Sequence, residues 1–168
     1  MARAFVSIGS NIDPARNVEA ALRALARHVA VTGISTVYLT SAEGRPEQPS
    51  FYNCILEISA EINPLDLKFR VLRPIEAALG RERSSDKYAP RTIDLDLVLY
   101  GDLVMNEEGL VLPDPEIYRR SFLAVPLAEL APELILPGSD VRVSELARRF
   151  GPMQPLESYT EGLRALRL

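Results

Sequence analysis

The chain has 168 residues, 47% of them apolar and 25% charged, with a net charge of −4; that is the size and make-up of one globular domain with a substantial core. The acidic balance argues against a nucleic-acid partner. No secretory leader and no bilayer-spanning apolar stretch is read in it, so no membrane partner and a cytoplasmic location are expected. The single cysteine, Cys54, sits in an apolar run and has no second cysteine to pair with; a small buried hydrophobe is the expected role.

Residues 4–8 are apolar and Gly9-Ser10-Asn11 breaks them, which predicts a strand running into a turn. Asp13-Pro14 has the form of an N-cap followed by a first-turn proline. Apolar residues at Val18, Ala21, Leu22, Leu25, Ala26 and Val29 hold helical spacing, so a helix is expected to run to about His28 or Val29. Residues 33–40 read as a strand, 41–50 as a loop with Gly44, Pro46 and Pro49, and 51–62 as a second strand with Tyr52, Cys54, Leu56 and Ile58 on one side. Asn63-Pro64 repeats the cap-and-proline signal and opens a helix closed by Gly80. Pro74 interrupts it: a helix-interior proline loses a backbone hydrogen bond and collides with the preceding turn, at a cost of about 3 kcal/mol. A kink or a restart is expected there. A charged loop covers 81–90, and a strand follows over 92–100. Short strands are expected near 103–104 and 110–112, short helices at 126–131 and 144–150, and an irregular strap beyond Gly151.

The strand at 92–100 carries the chemistry. Side chains of a strand alternate, so Asp94 and Asp96 share one face while Ile93, Leu95 and Leu97 take the other. Two adjacent carboxylates repel, and strands disfavour Asp. A divalent cation between them relieves that repulsion; Mg²⁺ prefers oxygen donors and takes one or two carboxylates together with substrate phosphates. A solvated strand face with an incidental Asp-x-Asp is the alternative. Arg91 offers a planar fork for phosphate, and Arg81, Arg83 and Lys87 make the preceding loop basic, which suits a polyphosphate.

The order strand, helix, strand, strand, helix, strand over residues 4–100 predicts an α+β fold with a ferredoxin-like βαββαβ core. Its helices would cover one face of an antiparallel sheet and leave the other face for a site. Residues 101–168 would form an appended C-terminal extension walling that face, within one domain spanning 1–168.

Several ordered segments resemble the 6-hydroxymethyl-7,8-dihydropterin pyrophosphokinases of folate biosynthesis. They are Ile8-Gly9-Ser10-Asn11, Phe51-Tyr52-Asn53, Ile75-Glu76, Leu79-Gly80-Arg81 with Arg83, Pro90-Arg91-Thr92-Ile93-Asp94-Leu95-Asp96, Leu99-Tyr100-Gly101, and Arg120-Ser121-Phe122 followed by Val125-Pro126-Leu127. The resemblance implies diphosphoryl transfer from ATP to the hydroxymethyl oxygen of the pterin, with release of AMP. It implies that Asp94 and Asp96 hold two Mg²⁺ ions and that Arg81 and Arg91 neutralise the transferred group. Phe51 and Phe122 match the positions that sandwich the pterin. Asn53 matches a hydrogen-bonding position, and Asn11 and residues 40–42, beginning with Thr40, match positions lining the same pocket. Glu76, Arg83, Leu97 and Arg120 correspond to the nucleotide side, and Tyr88 to an aromatic on a closing loop, so that residues 81–90 would act as a lid.

Two positions depart from the family pattern. Asp114 stands in Pro113-Asp114-Pro115 where the family usually has a histidine reaching the ATP phosphates; an anion there repels phosphate unless it turns away or recruits a cation. Glu43 stands where an apolar residue near the pterin is usual; altered substrate choice and simply pointing to water are the two readings, and the second is the expected outcome. A catalytically impaired pterin- or nucleotide-binding regulatory module is the alternative from another class. RNA binding on an open sheet is a third, opposed by the net charge and by the lack of an RNA-binding aromatic signature.

Overall fold

The computed structural model describes residues 1–107 and 109–168. Five strands and a short sixth form one antiparallel sheet: β1 (Ala2–Ser10), β2 (Ala30–Ile34), β3 (Tyr38–Thr40), β4 (Phe51–Ala60), β5 (Asp94–Tyr100) and, from the C-terminal segment, β8 (Gln154–Pro155). The order is β5-β1-β4-β3-β8, and β2 pairs with β4 beyond β3 on the same edge. A separate hairpin joins β6 (Met105–Glu107) to β7 (Leu110–Leu112). The fold is α+β with an antiparallel sheet, as the sequence reading expected.

The strand expected over 33–40 is two strands. Ser35 divides them: its N–H donates to the Ile55 carbonyl (3.0 Å) while its hydroxyl accepts from the Ile55 N–H (2.8 Å). A side chain thus replaces a ladder bond, and the chain turns without leaving β4 unpaired.

Helix α1 (Pro14–Leu25) buries Val18, Ala21, Leu22 and Leu25 against one face of the sheet. It ends sooner than the periodicity implied, in a short run of turns through His28. Asp13 occupies the N-cap position with φ 41° but its side chain makes no cap bond. Asn63 does cap, accepting from the Asp66 N–H at 2.9 Å. From there α2 (Pro64–Asp66) widens into a π-helical stretch over Leu67–Leu72 and returns to α-helix in α3 (Arg73–Ala78). Pro74 therefore produces no break. The Arg73 N–H reaches back five residues to the Lys68 carbonyl, and the wider turn lies where a proline ring would crowd an α-helical one.

The C-terminal extension brings helices to the other face of the sheet as well. α4 (Ser121–Leu130) and α5 (Val143–Ala147) lie on the opposite face, where Phe5, Ile55, Val98 and Leu99 form a second apolar cluster with Leu123, Ala124, Leu127 and Leu146. Apolar strand residues on that side need cover as much as those on the first. The tail is not an irregular strap either. β8 extends the sheet, and α6 (Glu157–Arg164) packs Leu163 into the first core and sets Tyr159 edge-on against Tyr52 at 5.3 Å. No helix is long and apolar enough to cross a membrane, among the described residues.

Candidate active site

The second face of the central strands changes character along its length. Phe5, Ile55 and Val98 lie under α4 and α5, whereas Ser7, Gly9, Asn53, Asp94 and Asp96 open on a cavity of about 370 Å³. Strand register places them: Gly9 pairs with Asn53 on one side and Asp94 on the other, and Ser7 lies opposite Asp96. The helices thus stop where the strand side chains turn polar.

Gly9 is required for this floor. A Cβ there would come within 2.8 Å of Asn53 Oδ1, closer than packed atoms tolerate. Asn53 in turn donates to Thr40 Oγ1 at 2.6 Å. Phe51 and Phe122 line the cavity from β4 and the first turn of α4. Thr40, Ser41, Ala42, Glu43 and Gln48 wall one side, Lys87, Tyr88, Ala89 and Arg91 another, and Asp114, Glu116, Arg120 and Leu123 a third. A smaller cavity of about 310 Å³ adjoins it, with Lys68, Leu97, Val111 and Pro115 in its walls. Asp96 and Asp114 line both, so they form the shared wall.

Electrostatics at the floor match the spacing argument. Burial, then the neighbouring charge of Asp94, pushes the Asp96 carboxyl above its ordinary range, and Asp114 adds to the effect. Asp114 is itself raised by burial, although its Oδ1 accepts the Glu116 N–H at 2.9 Å. That bond caps the 3₁₀ turn Pro115–Tyr118. Behind the floor, Glu76 is 1% exposed. Its Oε1 accepts the Leu95 N–H at 2.8 Å, and its Oε2 accepts from Arg73 (3.0 Å) and Arg83 (2.6 Å). Burial and the charges of Asp94 and Asp96 outweigh the Leu95 N–H and Arg73, raising Glu76 to about 7. A buried carboxyl such as Asp96, disfavoured in its charged form and set beside a second carboxylate, suits a hard cation. No group of three His, Cys, Asp or Glu side chains forms a ready metal cage among the described residues, so phosphate oxygens would have to complete a shell around Asp94 and Asp96.

The expected site residues divide in two. Asp94, Asp96, Arg91, Thr40, Phe51, Asn53, Tyr88, Arg120 and Phe122 come together around the cavity. Arg91 pairs with Asp94 and also donates to the Lys87 carbonyl at 2.9 Å. Leu97 is a core residue bordering the smaller cavity. Asn11 stands behind the wall and spends its amide there: Nδ2 donates to Gln48 and to the Pro49 carbonyl, and Oδ1 accepts the Arg91 N–H at 2.7 Å. Glu76, buried behind β5, pairs with the half-exposed Arg83, and both lie outside the two cavity walls. Arg81 lines neither cavity, and its Nε is a buried donor without a partner among the described residues. Glu43 does not simply point to water; it pairs with Arg120. Sequence reasoning missed Ser7, Gln48, Glu116 and Lys68. Only Ser7 had a legible signal, its place in the alternation of β1 with Gly9.

A carboxylate pair on a strand, cations around it and two aromatics lining the same cavity are groups able to meet phosphate oxygens and a flat ring. A family model described as 7,8-dihydro-6-hydroxymethylpterin-pyrophosphokinase (HPPK) matches residues 5–132. The 2-amino-4-hydroxy-6-hydroxymethyldihydropteridine pyrophosphokinase of Haemophilus influenzae is 35% identical over 155 residues, covering 89% of this chain and 94% of its own length. That of Methylorubrum extorquens is 39% identical over 145 residues, covering 84% and 90%. In three dimensions the chain superposes on a crystal structure of Plasmodium falciparum HPPK-DHPS with a TM-score of 0.72 at 13% identity, covering 88% of this chain and 45% of that one. It therefore spans less than half of that longer protein. The chain belongs to the HPPK family of pyrophosphokinases.

Proposed function

We propose that this chain, acting as one pyrophosphokinase domain over 1–168, transfers the diphosphoryl group of ATP to 6-hydroxymethyl-7,8-dihydropterin and releases AMP, a step of folate biosynthesis. The observation that carries this reading is the junction of an aromatic slot, Phe51 and Phe122 with Asn53, to the Asp94/Asp96 floor inside one cavity. The strand order β5-β1-β4-β3 supports a ferredoxin-like core beneath it.

In this reading the pterin lies between Phe51 and Phe122, where offset stacking orients its ring, and Asn53, held by Thr40, takes its polar edge. The hydroxymethyl oxygen then faces the floor. It bonds to the β-phosphorus of ATP and gives up its proton to solvent, while the bond from that phosphorus to the oxygen bridging to the α-phosphate breaks, so AMP leaves with the bridging oxygen. Positioning and charge neutralisation supply most of the rate. Asp94 and Asp96 would hold two Mg²⁺ ions, which when bound neutralise and orient the phosphate oxygens. Arg91, tethered by the Lys87 carbonyl, would stand beside the transferred group and neutralise its charge. Tyr88 lies on the 81–90 loop, whose Asp86 pairs with Arg45 at 2.6 Å, and this loop closes the cavity. The smaller cavity beyond Asp96 and Asp114 extends the path for the nucleotide.

Incubation with MgATP and the dihydropterin is expected to yield AMP in step with pterin diphosphate. Formation of ADP, or no pterin-dependent nucleotide turnover, overturns the reading.

A further inference from the structure

Glu43 makes an ion pair that no step above uses. It sits in the loop between Thr40 and Phe51 and lines the cavity. Its carboxylate pairs with Arg120, whose Nε donates to Glu116 Oε2 at 2.7 Å. Arg120 is the N-cap residue of α4, and Phe122 follows in the first turn. The other side-chain ties of the 41–50 loop run the opposite way. Arg45 binds Asp86 at 2.6 Å, Gln48 donates to the Tyr88 carbonyl at 2.9 Å, and Asn11 donates to Gln48. Among the described residues, the Glu43–Arg120 pair is the one hydrogen-bonded link from this loop to α4. Phe51 ends the loop and Phe122 begins the helix, so the link spans the two sides of the slot.

We infer that Glu43 is a positioning residue for the flat-ring ligand: with Arg120 it staples the 41–50 loop to the start of α4 and so sets the opening between Phe51 and Phe122. This rests on the reading of that slot as the pterin subsite. Glu43 is 61% exposed at its side chain and Arg120 33%, so the pair is partly screened and its effect is small and salt-dependent. Arg120 holds Glu43 charged, the hydrogen bond lowering its carboxyl below the usual range. Loss of Glu43 leaves Arg120 still paired with Glu116, so a variant does not strand a cation and folds.

The test measures binding of 6-hydroxymethylpterin to the full chain without nucleotide, by fluorescence. Glu43→Ala is expected to weaken binding about two- to fivefold, the range of a partly exposed ion pair, with Glu43→Gln intermediate because it keeps a hydrogen bond without the charge. Turnover at saturating substrate is expected to stay within about twofold, so the change appears in KM. The pterin is uncharged, yet wild-type affinity is expected to fall part of the way towards that of Glu43→Ala in about 1 M salt, where the pair is partly screened, while the variant is insensitive. In ligand-free protein, amide exchange is expected to quicken across residues 41–50 and 120–124 of Glu43→Ala. Equal pterin affinity and equal salt response in the two proteins would overturn the positioning role. Unchanged exchange would overturn the staple whatever the ligand. Failure of the wild-type protein to bind pterin at all would instead overturn the slot reading.

Discussion

Asp94 and Asp96 set two carboxylates side by side on the floor of the cavity, a repulsion the fold has to carry. Their spacing made a shared face legible from sequence, because strand alternation leaves no other option. What the sequence could not reveal is how deeply Asp96 lies, or that Asp114 approaches from a separate segment to raise it further. Asp96→Asn is expected to lower turnover by about 100-fold or more, the range for removing one group that stabilises transferring charge. The same change is expected to leave the ligand-free protein as stable or more stable in urea, since it removes a buried charge. Loss of activity accompanied by loss of stability would mean that Asp96 is structural. Asp114 lies on the wall between the two cavities. Asn in its place preserves the cap on the Glu116 N–H and removes the anion from the wall shared by both cavities. Asp114→Asn is expected to tighten binding of a non-hydrolysable MgATP analogue about three- to tenfold, the order of one partly screened like charge at short range. Calorimetry decides it: weaker binding would show that Asp114 faces a cation. Asn11, Glu76 and Arg83 illustrate the limit of residue-level reading. Sequence resemblance groups them with the ligands, but their hydrogen bonds run to Arg91, Leu95 and one another, and only three-dimensional placement separates a group facing the ligand from one holding its neighbour.

At the scale of elements, long periodic segments were legible and compensating devices were not. Val18, Ala21, Leu22 and Leu25 announce α1, and the alternation of Cys54, Leu56 and Ile58 announces β4. Pro74 pointed correctly to a disturbance, but its resolution as a π-helical stretch depends on packing of Leu67, Val71 and Leu72 in the core. The C-terminal segment was the largest omission. Gly162 and the charges around it obscure a helix whose apolar side is narrow, and only its docking partners stabilise it. Those partners lie far away in sequence: Thr160 Oγ1 accepts the Val37 N–H at 2.9 Å, Arg164 donates to the Ile34 carbonyl, and Leu163 enters the first core. Through β3 the segment braces the strand that delivers Thr40 to the cavity. Leu163→Ala is expected to cost about 2–5 kcal/mol, as for other buried leucines, whereas Leu168→Ala at the exposed end is expected to fall within about 0.5 kcal/mol of wild type. Urea unfolding of the two variants provides the comparison, and equal midpoints would show that α6 is not docked in solution.

For the whole molecule, the buried acids impose a direction on stability against pH. Glu76 is raised from 4.5 to about 7, and Asp96 and Asp114 are raised as well. A carboxyl raised in the folded state keeps its proton where the unfolded chain has lost it. The folded state then binds more protons, and stability falls as pH rises through that interval. Glu43 has the opposite sign, being lowered by Arg120; its contribution is lost only as pH falls below the ordinary carboxylate range. Between about pH 5 and 7 the raised acids therefore govern, and the ligand-free protein is expected to lose stability across that window. Cations and phosphates at Asp94 and Asp96 favour the charged forms, so saturating magnesium and a non-hydrolysable ATP analogue should flatten or reverse the slope. Denaturant midpoints at half-unit pH steps, with and without that pair of ligands, read both effects. A rising profile in the ligand-free protein would show that Arg73 and Arg83 keep Glu76 ionised despite its burial. Identical slopes in the two series would show that the bound nucleotide leaves the acidic floor untouched, contrary to a site built to receive its phosphates.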